Sequence, residues 1–531
     1  MNAKPMAVND LLLRQVAARG NQTCIIEEGE AISWNRFANR VRAVAAGLAA
    51  QGVGPGDRVG LWLPNRSAWL VVFFACARLG AIAVSINTRF RSGEVADLLY
   101  RSGAKLLVYW PGFKDIDFAG ILAQCPADSL VHLEKVLLYT EDGAPLPSSV
   151  VGKPVIDAHT LLAHAVERAP AGTPDSPCLI FTTSGTTRAP KLVVHVQRNV
   201  VAHGLNIARQ YGYRRGHRFI LIPPFCGVFG FCNAMAALAG GIPLVLTTTW
   251  NPTLYADLID THKVTHLAGS NESVAQLLEA RAQRHPPYPS IPFMVSANIN
   301  PAHADIPARA AALGVEVLGL YGSSEVQAAF SLCDRESDVE HRGRGGGRPA
   351  SALCKVRARD PESGAICAHG QGGELEILSP ETCFVEYFND PEATAKAFTA
   401  DGYFRTGDLG FSEADGSFTY LARLGDSLRL GGFLVSPAEI EAVIQEHAAV
   451  DACQLVGALT KDALKPVAFI RVRPGQTVSE AEIVAWTGAR LAKYKVPARV
   501  VTVDEFPTTA SANGLKVQKN KLREMAEALL N

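Results

Sequence analysis

The chain has 531 residues, more than one core usually fills, so two or more domains are expected. Its 48% hydrophobic and 19% charged content is that of a soluble globular chain. With 51 Lys plus Arg against 51 Asp plus Glu there is no basic excess, which argues against a nucleic-acid or acidic-membrane partner. The 11 cysteines form no CxxC pair and the first twenty residues lack an apolar signal core, so reduced thiols and a cytoplasmic location are expected.

Residues 34–52, "WNRFANRVRAVAAGLAAQG", have helical spacing and end at a glycine. Residues 57–64 read as an apolar strand stopped by proline. Residues 68–86 are the greasiest stretch, broken by Arg78 and Gly80. A membrane helix wants about 20 uninterrupted apolar residues, so the pattern predicts a buried helix, a turn and a strand. Then comes "FTTSGTTRAPKLVVH", 181–195, which sets Thr182, Thr183, Ser184, Thr186 and Thr187 around Gly185 and beside Arg188 and Lys191. It is no Walker loop, and "KLVVHVQ" after it alternates like a strand. The stretch predicts a flap between two strands. Its amides around Gly185, its hydroxyls and Lys191 would wrap a polyphosphate. The plainer alternative is a Ser/Thr-rich hairpin without a ligand.

Short apolar runs at 263–269, 290–297 and 314–322 alternate with helical patches, which predicts parallel sheets covered by helices. In "GLYGSSEVQAA", 319–329, an acid follows a tight turn at a strand end, where such folds bind ligands. Glu325 suits Mg²⁺, which prefers few carboxylates plus phosphate oxygens, and Tyr321 suits a purine. Otherwise Glu325 is a helix-start acid favoured by the dipole. From about residue 352 short strands and glycine turns predict a small β-rich unit. There "DGYFRTGDLG" places Asp408 in a turn between strands, to accept hydrogen bonds from ribose hydroxyls or simply to serve the turn. "ARLGDSLRLGGFLVSPAEIE", 422–441, brings Arg423, Asp426, Gly431 and Gly432 to a domain boundary expected at 425–427. A compact α+β piece follows. In "TTASANGLKVQKNKLRE", 508–524, Lys516 follows a glycine turn and starts a basic segment, which alone reads as a solvated face.

In order and spacing these motifs resemble the acyl-adenylate-forming superfamily, across residues 25–523. The resemblance implies an α/β fold. A large N-terminal domain, 1–425, would hold stacked helix-covered sheets and a small β-barrel-like unit at about 345–425. A small mobile α+β domain, 426–531, would follow. It implies activation of a carboxylic acid by ATP and Mg²⁺ to acyl-AMP, then displacement of AMP by coenzyme A. Thr183, Ser184, Gly185, Thr186, Thr187 and Lys191 would form the phosphate flap. Tyr321 would stack on adenine, Ser324 would touch phosphate and Glu325 would hold Mg²⁺. Asp408 and Arg423 would bind ribose, Asp426 would be the hinge, and Gly431 and Gly432 would face the pantetheine. Lys516 would bridge the acyl carboxylate and the α-phosphate as a cation.

Four departures stand out. Arg188 and Ser324 replace the usual glycine and threonine, and an extra residue lies beside the glycine–lysine pair around Lys516. Cys226 replaces the histidine that gates the acyl pocket. That pocket would be lined by Phe225, Cys226, Val228, Phe229, Phe231 and Cys232, with residues 296–298, including Asn298, and Gly319 opposite. None is charged, which suits a hydrophobic medium-chain aliphatic, aromatic or alicyclic acid. Cys226 also stands where amino-acid-activating relatives place an amine-binding Asp. The rival readings are an acyl-AMP ligase that loads a carrier protein and a non-catalytic acyl-nucleotide binder.

Overall fold

The computed structural model describes residues 4–140, 145–163, 169–183, 190–299, 303–424, 428–430, 433–435, 437–460, 464–491, 493–511 and 514–530. Two large sheets organise it. The nine-stranded sheet runs parallel through Pro177–Thr182, Ile82–Ser85, Arg58–Trp62, Leu106–Tyr109, Lys135–Leu138 and Lys153–Asp157. Leu192–Val196 adds an antiparallel strand beside Pro177–Thr182, and Glu386–Tyr387 pairs antiparallel with Leu192–Val196 at the edge. The second sheet has thirteen strands. Its parallel part is Val317–Tyr321, Met294–Ala297, His266–Ser270, Phe219–Leu221, Leu244–Leu246 and Thr23–Glu27.

These strands are short apolar runs because helices cover them. Leu61, Ala83 and Leu179 from one sheet share an apolar cluster with Phe219, Leu244 and Val295 from the other. Helices Trp34–Ala50, Ser67–Leu79 and Val228–Gly240 join them there. Ser67–Leu79 is buried at every residue except Ala68, and Gly80 ends it in the left-handed conformation with φ of 72°. The expected buried helix, turn and strand are all present, and Arg78 Nη1 donates to Asn9 Oδ1 at 2.8 Å. No described helix is long and apolar enough to cross a membrane.

The β-rich segment corrects one expectation. It forms no closed barrel. Ser331–Leu332, Gly346–Pro349, Phe418–Arg423, Phe404–Ser412, Gly373–Leu378 and Lys355–Arg359 extend the thirteen-stranded sheet as an open antiparallel run. Continuity depends on close backbone approach. A Cβ on Gly346 would lie 2.2 Å from the Phe418 carbonyl oxygen, and one on Gly347 would lie 2.2 Å from that of Leu332. Only glycine carries the ladder across this junction.

Toward the C-terminus, Val450–Leu459, Leu464–Val472 and Arg499–Thr502 form a separate three-stranded sheet. Helices Pro437–Gln445, Glu480–Gly488 and Lys519–Leu530 accompany it, and Thr508–Ser511 pairs with Gly514–Val517 in a hairpin.

Candidate active site

The candidate site lies where the two large sheets present their strand ends, and two polar corners define it. The first is built on Asp408. The sequence suggests a turn there, but the structure places Asp408 inside Phe404–Ser412, directly opposite Arg423. Gly407 takes a left-handed φ of 68° within that strand, and the ladder shifts register between Leu409 and Gly410, which explains the turn-like sequence. Tyr321 donates its hydroxyl to Asp408 Oδ2 at 2.5 Å, and Arg423 Nη1 stands 3.0 Å from Oδ1. Oδ1 is buried, yet it takes part in no hydrogen bond of good geometry among the described residues. A buried carboxylate oxygen left in this state is a ready acceptor for a ligand hydroxyl. Burial drives the Asp408 carboxyl up to about 6, with Arg423 and the Tyr321 hydrogen bond opposing the rise.

Tyr321 itself is 6% exposed. Its ring meets Phe418 edge-on at 5.3 Å and Tyr420 at 5.6 Å. Its hydroxyl is therefore committed to Asp408, and only a small part of the ring is open to a purine.

The second corner joins three elements. Thr183 and Lys191 close the hairpin between Pro177–Thr182 and Leu192–Val196: Thr183 N donates to Lys191 O at 3.0 Å, and Lys191 N to Thr183 Oγ1 at 3.1 Å. Ser184, Gly185, Thr186, Thr187 and Arg188 lie outside the described residues. Lys191 Nζ sits 4.3 Å from the centre of the Tyr387 ring, a cation–π distance. The Tyr387 hydroxyl donates to Glu325 Oε1 at 3.0 Å. Tyr387 drew no attention in the sequence, because only strand pairing with Val193 brings it here.

Ser324 and Glu325 occupy a single 3₁₀ turn after Val317–Tyr321. Among the described residues no three His, Cys, Asp or Glu side chains group into a metal cage. One partly exposed carboxylate suits Mg²⁺, which keeps waters and takes phosphate oxygens as further ligands. The turn continues into Gln327, Ala328 and Ala329, whose φ values of 60°, 49° and 36° are left-handed. A non-glycine residue costs about 1–2 kcal/mol in that region. Two histidines absent from the sequence reading, His195 and His203, contact this turn. Burial lowers both imidazoles to about 4, so both are neutral near neutral pH.

Of the acyl-wall residues, Phe225 and Phe231 are core. Phe225 stacks on Trp69 at 5.3 Å, and Phe231 meets Phe73 at 4.9 Å and Phe181 at 5.7 Å. Phe229 and Cys232 are buried in the same cluster, against which Val228 and Ala297 pack. Cys226 and Val228 are partly exposed. Burial raises the Cys226 thiol to about 11, so at neutral pH it presents a neutral, uncharged surface. Across the fold, Asn298, Ser296, Asn271 and Gly319 line a small cavity of about 10 Å³. Asn271 Nδ2 donates to Asn298 Oδ1 at 2.8 Å. A Cβ on Gly319 would lie 2.1 Å from the Arg344 carbonyl oxygen, so no other residue fits.

Asp426, Gly431 and Gly432 lie outside the described residues. Lys516 lies on Gly514–Val517, opposite Thr509, in the C-terminal hairpin. Its near neighbour Lys519 is placed 3.6 Å from Glu441 Oε1.

The AMP-binding enzyme family matches residues 12–388, and the AMP-binding enzyme C-terminal domain matches 439–513. The chain is 31% identical to a Mycobacterium tuberculosis 3-[(3aS,4S,7aS)-7a-methyl-1,5-dioxo-octahydro-1H-inden-4-yl]propanoyl:CoA ligase, over 98% of both chains. It is 28% identical to an Amycolatopsis feruloyl-CoA synthase, over 95% of this chain and 96% of that one. The crystal structure of ATP-bound MatB from Rhodopseudomonas palustris superposes with a TM-score of 0.84 at 26% identity, covering 99% of this chain and 100% of that one. With this fold and these relatives, the chain belongs to the AMP-binding enzymes of the acyl-adenylate-forming superfamily and is an AMP-forming acyl-CoA synthetase.

Proposed function

We propose that this synthetase activates a hydrophobic medium-chain, aromatic or alicyclic carboxylic acid as its acyl adenylate and passes the acyl group to coenzyme A. One observation carries the reading: the five residues from Tyr321 to Glu325 reach both polar corners at once. Tyr321 holds Asp408, and Glu325 holds Tyr387 beside Lys191. A nucleotide laid along that segment has its ribose hydroxyls at Asp408 Oδ1 and its phosphates toward Lys191 and the flap. The adenine lies by Tyr321.

In the first step the acid's carboxylate attacks the α-phosphorus and pyrophosphate leaves. Negative charge grows on the phosphoryl oxygens, so positioning and fixed cations carry the catalysis. Lys191 supplies one cation and Lys516 the other, with Ser324 near the phosphates. Glu325 would hold Mg²⁺, which would supply charge neutralisation at the phosphates. Residues 426–531 turn about Asp426 between the two steps, so that Gly431 and Gly432 face the pantetheine thiol. The engagement of Lys519 with Glu441 favours Lys516 as the bridging lysine.

The uncharged side of the acyl site favours an apolar acid over one bearing an amine or a second carboxylate. The relatives named for a bicyclic propanoate and for feruloyl-CoA support the ring-bearing classes. The test is pyrophosphate release with Mg²⁺·ATP across fatty acids, benzoates, cinnamates, alicyclic acids and amino acids, each with and without coenzyme A. Release with one apolar class, and thioester only when coenzyme A is present, is the expected result. Release without thioester favours carrier loading, and no release with any acid favours a binder.

A further inference from the structure

We propose that His195 and His203 are positioning residues that clamp the left-handed turn behind Glu325 and so set the direction of its carboxylate. His195 is fully buried on Leu192–Val196, the strand that returns from the flap, and its Nε2 lies 2.8 Å from the Ser324 carbonyl oxygen. His203 is 1% exposed on the helix Gln197–Gln210, and its Nε2 lies 2.8 Å from the Ala328 carbonyl oxygen. A carbonyl only accepts, so in each ring Nε2 carries the proton and donates. The other nitrogen, Nδ1, is buried without a partner among the described residues. Two imidazoles thus each leave one polar atom unsatisfied while holding the carbonyls on either side of Glu325.

The turn needs such holding. Among the described residues, 327–329 is the only run of three non-glycine residues with positive φ. All three are buried, at 2%, 6% and 2% exposure. Other bonds converge on it: Gln327 Nε2 donates to Thr382 O at 3.0 Å, Ala328 N to Ser323 O at 2.8 Å and Phe384 N to Glu325 O at 2.7 Å. Gly322 gives way to it, since a Cβ there would lie 2.5 Å from the Ala328 Cα. Because His195 lies on the flap's return strand, its bond also ties the base of the flap to the turn that bears Glu325. The inference rests on the reading of Glu325 as the residue serving the phosphate-bound cation, and the test separates the two.

The experiment compares His203→Gln with His203→Asn in the full chain. Glutamine's amide reaches where Nε2 stands, whereas asparagine's stops near Nδ1. Three quantities are read: amide hydrogen exchange across residues 322–330 of the free enzyme, ATP–pyrophosphate exchange, and thioester formation from preformed acyl adenylate. His203→Asn is expected to speed exchange at the Ala328 and Phe330 amides at least tenfold and to slow ATP–pyrophosphate exchange at least tenfold. It should leave thioester formation within twofold. His203→Gln is expected to recover most of both losses. Unchanged amide exchange, equal behaviour of the two variants, or a parallel fall of both half-reactions overturns the clamp. Should His203→Asn not fold, the same pair at His195 decides, with Phe384 and Ala328 as the reporting amides. Glu325→Gln runs alongside. If it adenylates normally, the role given to Glu325 fails while amide exchange still decides the clamp.

Discussion

The ribose corner and the phosphate corner are built from opposite materials. Around Asp408 the acceptor is preset before any ligand arrives: the carboxylate lies on a strand, is buried, and is held by the buried Tyr321, with the exposed Arg423 beside it. Around Glu325 the charged groups stand at the surface, with Lys191 exposed over Tyr387 and Glu325 partly open. The rigidity there lies one layer below, in the buried turn at 327–329 and its two histidines. The difference follows the task. Ribose does not react and is recognised by a preset acceptor. The phosphates separate during the reaction, so their partners need room to follow the charge.

Substitutions at the two corners should therefore fail in different ways. The largest effect is expected for Glu325→Gln and Lys516→Ala: turnover in ATP–pyrophosphate exchange falls about 10²–10³-fold, typical for loss of one charge stabiliser. The acid's KM should change little. An intermediate effect is expected for Asp408→Asn. Losing a charge-assisted hydrogen bond of about 1.5–3 kcal/mol raises the KM for ATP roughly 10- to 100-fold, with a smaller change in turnover. Steady-state kinetics with ATP varied separate the two patterns, and a turnover defect in Asp408→Asn equal to that of Glu325→Gln would erase the comparison. A smaller effect, about 3- to 10-fold in turnover, is expected for Tyr387→Phe, which removes one hydrogen bond from Glu325 and keeps the ring under Lys191.

The comparison also has a pH signature. The Asp408 carboxyl is raised to about 6, so it protonates as pH falls through that value and loses acceptor capacity for ribose. The KM for ATP is expected to climb below about pH 6 in the wild type and to stay flat in Asp408→Asn. Stability moves the other way. A carboxyl raised by folding contributes most at pH below its ordinary range and loses that contribution as pH rises through about 6. The Tm of the wild type relative to Asp408→Asn should therefore improve as pH drops from 7.5 toward 5. Glu325→Gln keeps Asp408 and should therefore retain the wild-type rise in the KM for ATP below about pH 6.

What the sequence made legible was local. The buried helix, turn and strand at 67–85 follow from an apolar run broken by one arginine and one glycine, and the structure matches them. The hairpin around Thr183 and Lys191 follows from a polar loop leading into an alternating strand. The errors arose where the chain departs from ordinary backbone. Gly407 makes a strand look like a turn, and Gly346 and Gly347 make a continuous sheet look like a separate barrel-like unit. Tyr387, His195 and His203 had no signal of their own. Tyr387 is 62 positions from Glu325, and His195 is 129 from Ser324 and His203 125 from Ala328, so only the tertiary fold brings them together.

If residues 321–325 carry one nucleotide between the two corners, a crystal structure of the enzyme with Mg²⁺ and a non-hydrolysable ATP analogue will show it. Both ribose hydroxyls are expected on Asp408, at least one of them within hydrogen-bond distance of Oδ1, with the cation between the phosphates and Glu325 and Lys191 alongside. A nucleotide bound with its ribose away from Asp408, or with its phosphates pointing away from Glu325, would contradict it.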